Sequence, residues 1–202
     1  LNKIVSNFQI RRQSAARILL TSTHQGMAQM FTKFIATVAG AALLVAAVST
    51  APAMAARPPQ GMQIFCINYA SSCKADSRSS VEMSDRLMGL LSQVNSSVNR
   101  SMRYRAETGP IDNWKIGGSS GDCEDYALTK RARLISKGVP AGALRMATTY
   151  TRRGEPHAVL IVKTNAGDFV LDNLAAEVKT RSQAGYRLRS IATADPRVWS
   201  AG

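Results

Sequence analysis

Between Asp122 and Asp172 the apolar pattern changes period once, and that change limits the folds open to the chain. After Asp122-Cys123-Glu124-Asp125, residues Ala127, Leu128, Ala132, Leu134 and Ile135 suit one buried stripe of a helix, which Gly138 and Pro140 end. Beyond Pro140 the period falls to two. Leu144 to Thr151, His157 to Thr164 and Phe169 to Asp172 are rich in β-branched and aliphatic residues, and Asn165-Ala166-Gly167-Asp168 reads as a turn joining the last two. Gly185 to Ile191 alternates and adds a further candidate strand. Upstream, Val81, Leu87, Leu90, Leu91, Val94 and Val98 make a 3.6-residue stripe, which predicts an amphipathic helix within Ser80 to Arg103. Helices followed by an antiparallel meander define an α+β fold. Residues 104–121, with four glycines and a proline, form a long loop of the kind that often carries function, and residues 56–63 (ARPPQGMQ) read as an extended Pro-rich leader.

The first 55 residues stand apart from this domain. From Met27, Lys33 gives a positive start, Phe34 to Val48 an apolar run, Pro52 a break, and Ala53-Met54-Ala55 a small-x-small cleavage signal. These are the three parts of a secretory signal peptide over 27–55, with cleavage expected after Ala55, or after Ala53 as the second choice. The apolar run is about fifteen residues, short of the roughly twenty that a spanning helix needs. Residues 1–26 precede a methionine able to start such a signal, and are expected to be a non-native upstream extension. The domain is then 56–202, and its expected location is the periplasm.

All 13 acidic residues lie after Ala55, whereas five of the 26 basic ones (Lys3, Arg11, Arg12, Arg17 and Lys33) precede it, so 56–202 carries a net charge of +8. That balance favours acidic partners such as an anionic envelope. Nucleic acid is not expected, because the basic residues are scattered rather than clustered with aromatics.

Export also changes how the cysteines read. Cys66 and Cys73 enclose six residues, a loop that an oxidising compartment closes as a disulfide. Cys123 is left over, either as a small buried apolar residue or as a thiol with a task. It falls at a helix N-terminus, where unpaired N–H groups stabilise a thiolate. His157 opens one strand and Asp172 closes the next, so the hairpin brings them together; His157 is the only histidine after His24. A helix N-terminal Cys, a strand His and an Asp on the adjacent strand are the nucleophile, base and orienting carboxylate of a thiol acyl-transfer site. Asp122 is placed to cap the helix and Asp125 to complete a capping box. The same acidic residues, with Glu124, disfavour a thiolate beside them.

The runs GDCEDYALTKRARLISKGVPAGALR, GEPHAVLIVKT and GDFVLDNL, with VNRSMRY and DNW before them and GYRLRS and Trp199 after, resemble the LapG-like bacterial transglutaminase-like cysteine peptidases. The resemblance covers nearly all of 56–202. It implies a papain-like, transglutaminase-type core with the nucleophile helix packed on an antiparallel sheet, and a triad of Cys123, His157 and Asp172. It implies calcium beside the nucleophile, for which Asp122, Glu124, Asp125 and Asp112 supply the hard oxygen ligands such an ion takes. It places Trp114 in the cleft or at the oxyanion site, although the backbone N–H of Cys123 is the better oxyanion donor. It further implies a protein substrate in the cell envelope, a surface adhesin of biofilms, and an inner-membrane receptor responsive to cyclic-di-GMP as regulator.

The leading expectation is therefore an exported cysteine peptidase. A transglutaminase-type acyl transferase on the same triad and a non-catalytic, basic envelope-binding module are the alternatives.

Overall fold

The structure, a computed structural model, describes residues 54–202; the proposed upstream extension and all of the signal peptide before Met54 lie outside them. Strand β1 (Ala55–Ala56) is followed by α1 (Gln60–Asn68), a 3-10 turn (Ala70–Cys73), α2 (Asp85–Ser101), β2 (Arg103–Tyr104), β3 (Ser120–Gly121) and α3 (Cys123–Ser136). Then come β4 (Leu144–Tyr150), β5 (Pro156–Thr164), β6 (Gly167–Leu171), β7 (Lys179–Thr180), α4 (Arg181–Ala184), β8 (Ser190–Ala192) and β9 (Trp199–Ala201). Seven strands form one antiparallel sheet in the order β1-β9-β8-β4-β5-β6-β7, and β2 and β3 pair in parallel as a separate clip. The α+β architecture expected from the change of period is the one observed. Among the described residues, no helix is long and apolar enough to cross a membrane.

The sheet is covered on both faces, which is why β5 is buried along most of its length without alternation. On one face Leu160 and Val162 of β5, Leu144 and Met146 of β4 and Leu171 of β6 pack with α1, α2 and α3 into the main core. On the other face Val159, Ile161, Ala147 and Val170 meet Leu188 and Tyr186.

The expected helices and strands are present, with differences that have physical causes. The Ser80–Arg103 helix begins only at Asp85, because the Ser84 side chain caps it by accepting from the Leu87 N–H; Val81 instead bridges to Thr164. Residues 56–63 are not an extended leader. Helix α1 starts at Gln60 behind Pro59, and Met62 and Phe65 are fully buried, so tertiary packing overrides the weak local signal of Pro58, Pro59 and Gly61. The Gly185–Ile191 strand shrinks to its last two residues, since Gly185 ends α4 in a left-handed turn at φ +71°.

Arg131 ties the layers together from α3. It is buried and donates to the carbonyls of Leu144, Ser72 and Ala141. Ser72 lies within the turn closed by the Cys66–Cys73 disulfide, whose Cα atoms are 5.5 Å apart. The pairing expected from spacing and compartment is thus present in the structure.

Candidate active site

The first helical residue of α3 is Cys123, the free cysteine among the described residues, and it is buried. Asp122 occupies the cap position, but its side chain makes no cap hydrogen bond. Asp125 does not complete a capping box either. Fully buried, its carboxylate accepts from the backbone N–H of Lys115 at 2.9 Å and from Lys115 Nζ at 2.7 Å. Thr129, one turn further on, accepts from the Gly117 N–H at 2.8 Å. These contacts strap the 104–121 loop onto α3 and set its other acidic residues over the helix N-terminus.

His157, at the second position of β5, and Asp172, just past the end of β6, are both buried and lie 2.9 Å apart from Nε2 to Oδ1. The antiparallel register of β5 and β6 creates this pair by placing Leu160 opposite Leu171, so that residues 15 apart in sequence meet. Asp172 also accepts from the Leu174 N–H at 2.9 Å and from the Tyr186 hydroxyl at 2.5 Å. Burial opposes the charge on Asp172, but the hydrogen bonds from His157, Tyr186 and Leu174 win and hold its carboxyl below the usual range.

The backbone amide of Ala158, the residue after His157, works to lower the pKa of the Cys123 thiol. The net effect is the opposite. Burial, and then the Glu124 carboxylate, push the thiol upward, and Sγ donates to Glu124 Oε2 at 2.9 Å. Burial and the acidic flanks together outweigh the Ala158 amide.

The acidic residues divide into separate tasks. Glu107, Asp112 and Asp122 bring carboxylate oxygens within 4.8 Å of one another, whereas Glu124 faces the thiol and Asp125 is taken by Lys115. Glu107 was not expected from the sequence, because a single acid in a glycine-containing loop carries no periodic signal. Burial, then Glu124 and Asp125, push the Asp122 carboxyl up to about 7. Burial also raises Asp112, against the pull of its bond from Trp114.

Trp114 is 2% exposed and donates from Nε1 to Asp112 Oδ2 at 2.7 Å, so that N–H is committed to a carboxylate. Its ring lies against Gly61 of α1, where a Cβ would sit 2.3 Å from Nε1. Trp114, Asp112, Glu124 and His157 line one cavity of about 420 Å³, closed on another side by Arg57 and Arg189. Asn173 is aimed inward after Asp172, its Oδ1 buried. Two further groups escaped the sequence reading. Tyr186 sat in a segment expected to be strand, and Lys130, two turns along α3 from Cys123, was not singled out. Lys130 is fully buried, and burial pushes its ammonium down to about 7, against the opposing charge of Asp172.

A cysteine at the start of a helix, packed on an antiparallel sheet that carries a hydrogen-bonded His–Asp pair, defines a papain-like, transglutaminase-type thiol enzyme. The model of one family, the bacterial transglutaminase-like cysteine proteinases (BTLCP), matches residues 53–201, and the chain belongs to that family. Among solved structures, calcium-bound LapG of Legionella pneumophila is similar at 22% identity, with a TM-score of 0.51, covering 71% of this chain and 81% of that one. A second structure of Legionella pneumophila LapG aligns at 25% identity with a TM-score of 0.49, over 57% of this chain and 69% of the other. No curated protein matches the chain.

Proposed function

We propose that the protein is an exported peptidase that hydrolyses a peptide bond in a protein of the cell envelope, with Cys123 as nucleophile, His157 as base and Asp172 as the carboxylate that orients the imidazole. The observation that carries this reading is the buried 2.9 Å contact between His157 Nε2 and Asp172, on the strand whose Ala158 amide acts to lower the pKa of the Cys123 thiol. Since Asp172 engages Nε2, Nδ1 is the nitrogen left to act as base. The thiol proton passes to Nδ1 and the sulfur attacks the scissile carbonyl carbon. The C–N bond then breaks as the imidazolium gives its proton to the departing amine, leaving a thioester. Water, deprotonated by the same imidazole, attacks that thioester and releases the acid and the free thiol. The backbone N–H of Cys123, at the open end of α3, is the donor proposed for the oxyanion.

Before the first step, the thiol must give up Glu124. The donor set beside it fits calcium: three clustered carboxylates offer hard oxygen ligands, and the raised Asp122 marks a site short of positive charge. Glu107, Asp112 and Asp122 would hold the ion, with Glu124 adjacent and Asp125 retained by Lys115. Bound there, calcium supplies the charge that makes a neighbouring thiolate less costly. LapG of Legionella pneumophila, solved with calcium bound, supports this assignment. The family resemblance supports a periplasmic location, a surface adhesin as substrate and an inner-membrane cyclic-di-GMP-responsive receptor as regulator.

The test is to incubate envelope proteins with the purified protein or its Cys123→Ala variant, with calcium, and to identify new N-termini by mass spectrometry, with and without a primary amine. New N-termini that need Cys123 and persist as hydrolysis products in amine are expected. Dominant amine adducts would make the protein an acyl transferase, and identical profiles for the two forms would make it a binding module.

A further inference from the structure

We propose that Tyr186 is a positioning residue for this site: its hydroxyl fastens the second oxygen of Asp172, so that the first stays aimed at His157. The inference rests on the proposed roles of His157 and Asp172 and goes beyond them by assigning a fourth side chain.

Asp172 is poorly held by its own strand. Strand β6 ends at Leu171, so residue 172 is held not by sheet pairing but by the Asn99 side chain, which donates to its carbonyl at 2.9 Å, and its carboxylate could swivel about the Cβ–Cγ bond if only one oxygen were held. Oδ1 receives both His157 Nε2 and the Leu174 N–H; Oδ2 receives the Tyr186 hydroxyl. The tyrosine thus settles which way the carboxylate faces. Its own placement is specified locally: Thr180 and Gln183 close a capping box around α4, and Gly185 turns the chain at φ +71° to deliver Tyr186 to the sheet. The ring lies 5.8 Å from that of His157, tilted by 52°, so it also walls the imidazole. Burial, followed by the charge-assisted bond to Asp172, pushes the phenol upward, which keeps it a donor throughout the working range of an enzyme. Other charges near the group are Lys130 from α3 and Arg152 from the β4–β5 turn, both felt electrostatically rather than through a hydrogen bond.

Tyr186→Phe removes the hydroxyl and keeps the ring. His157 is the only histidine after His24, so ¹⁵N-histidine spectra of residues 56–202 report its tautomer without interference. Two readouts at fixed pH 8 suffice: the Nε2–H tautomer fraction of His157 and the rate of Cys123 alkylation in calcium, the rate also compared with that of His157→Ala, and each variant accompanied by its unfolding temperature. The expected result is a loss of the wild-type preference for Nε2–H and an alkylation rate reduced about three- to tenfold, the scale of one ordinary net hydrogen bond, at unchanged stability. A wild-type tautomer and rate in Tyr186→Phe overturn the proposal. So does a lower rate with an unchanged tautomer and a lower unfolding temperature, which would make Tyr186 a packing residue. If His157→Ala alkylates as fast as wild type, it is the reading of His157 as base that fails, and the role of Tyr186 goes with it.

Discussion

The two halves of the site are built on opposite electrostatic terms. On the sheet side, His157, Tyr186 and the Leu174 N–H satisfy Asp172, and its carboxyl is held low. On the helix side, carboxylates face carboxylates, Asp122 is raised to about 7, and the thiol is bonded to Glu124 and pushed up. One half is complete as it stands. The other is arranged so that a proton or a cation must offset its negative charge, so in the proposed mechanism the condition for activity falls on the nucleophile's side of the site.

Removing the complete half altogether should have the largest effect. His157→Ala is expected to lower turnover by about 10³- to 10⁴-fold, with Asp172→Asn close behind, while circular dichroism stays native. Turnover of Asp172→Asn within tenfold of wild type would mean that the sheet half is not what readies the base. Next comes relief of the helix half. In the absence of calcium, Glu124→Gln should speed alkylation of Cys123 at pH 7 by about tenfold or more, because it removes the negative charge beside the sulfur and leaves at most a weaker, neutral acceptor for the thiol proton. A slower thiol would show instead that Glu124 assists.

A smaller effect is expected where the loop is strapped to α3. A Cβ at Gly121 would sit 2.3 Å from Asp125 Oδ2, so Gly121→Ala should cost about 1–3 kcal/mol in denaturant unfolding. It should also loosen the loop that carries Glu107 and Asp112. An unaltered midpoint would mean that the loop shifts freely.

The mildest prediction concerns pH, where the halves take opposite signs. Asp122 has a folded-state pKa above its unfolded value, so its contribution is complete below about pH 4 and is lost as pH rises through about 7. Asp172 is depressed, and its contribution is complete above about pH 4 and is lost as pH falls through its lower folded value. The gain in Tm from calcium should therefore grow between pH 5 and pH 8. This difference cancels the separate titration of Lys130, which loses stability as pH falls through about 7. A calcium shift independent of pH would remove Asp122 from the ligand set.

Much of this contrast was legible in the residues, and unevenly so. The helix from Cys123 and the β5–β6 hairpin follow from periodicity and turn chemistry, and the hairpin alone makes neighbours of His157 and Asp172. Which acid does what was not legible. Asp125 looks like a capping-box residue, yet the returning loop presents Lys115 and claims it. Glu107 joins Asp112 and Asp122 only because that loop folds back, and loop paths leave no period in a sequence. Helix α1 was hidden for a related reason: Met62 and Phe65 are one turn apart, but the flanking prolines and Gly61 mask so short a signal until Trp114 is seen to need the space above Gly61. Tyr186 was hidden by α4, a single turn too brief to register as a helix.

Strand β1 pairs with β9, Ala55 opposite Ser200, and the next residues, Ala56, Arg57 and Pro59, form a wall of the cavity that His157 shares. Anyone attaching a purification tag or a reporter must reckon with that geometry. A fusion joined at Ala55 leaves the fold beside that cavity, and one joined directly behind β9 leaves from the strand paired with it. Either appendage is a bulky neighbour for an incoming polypeptide, so an assay on tagged material measures the competition between them unless the tag is cut away first.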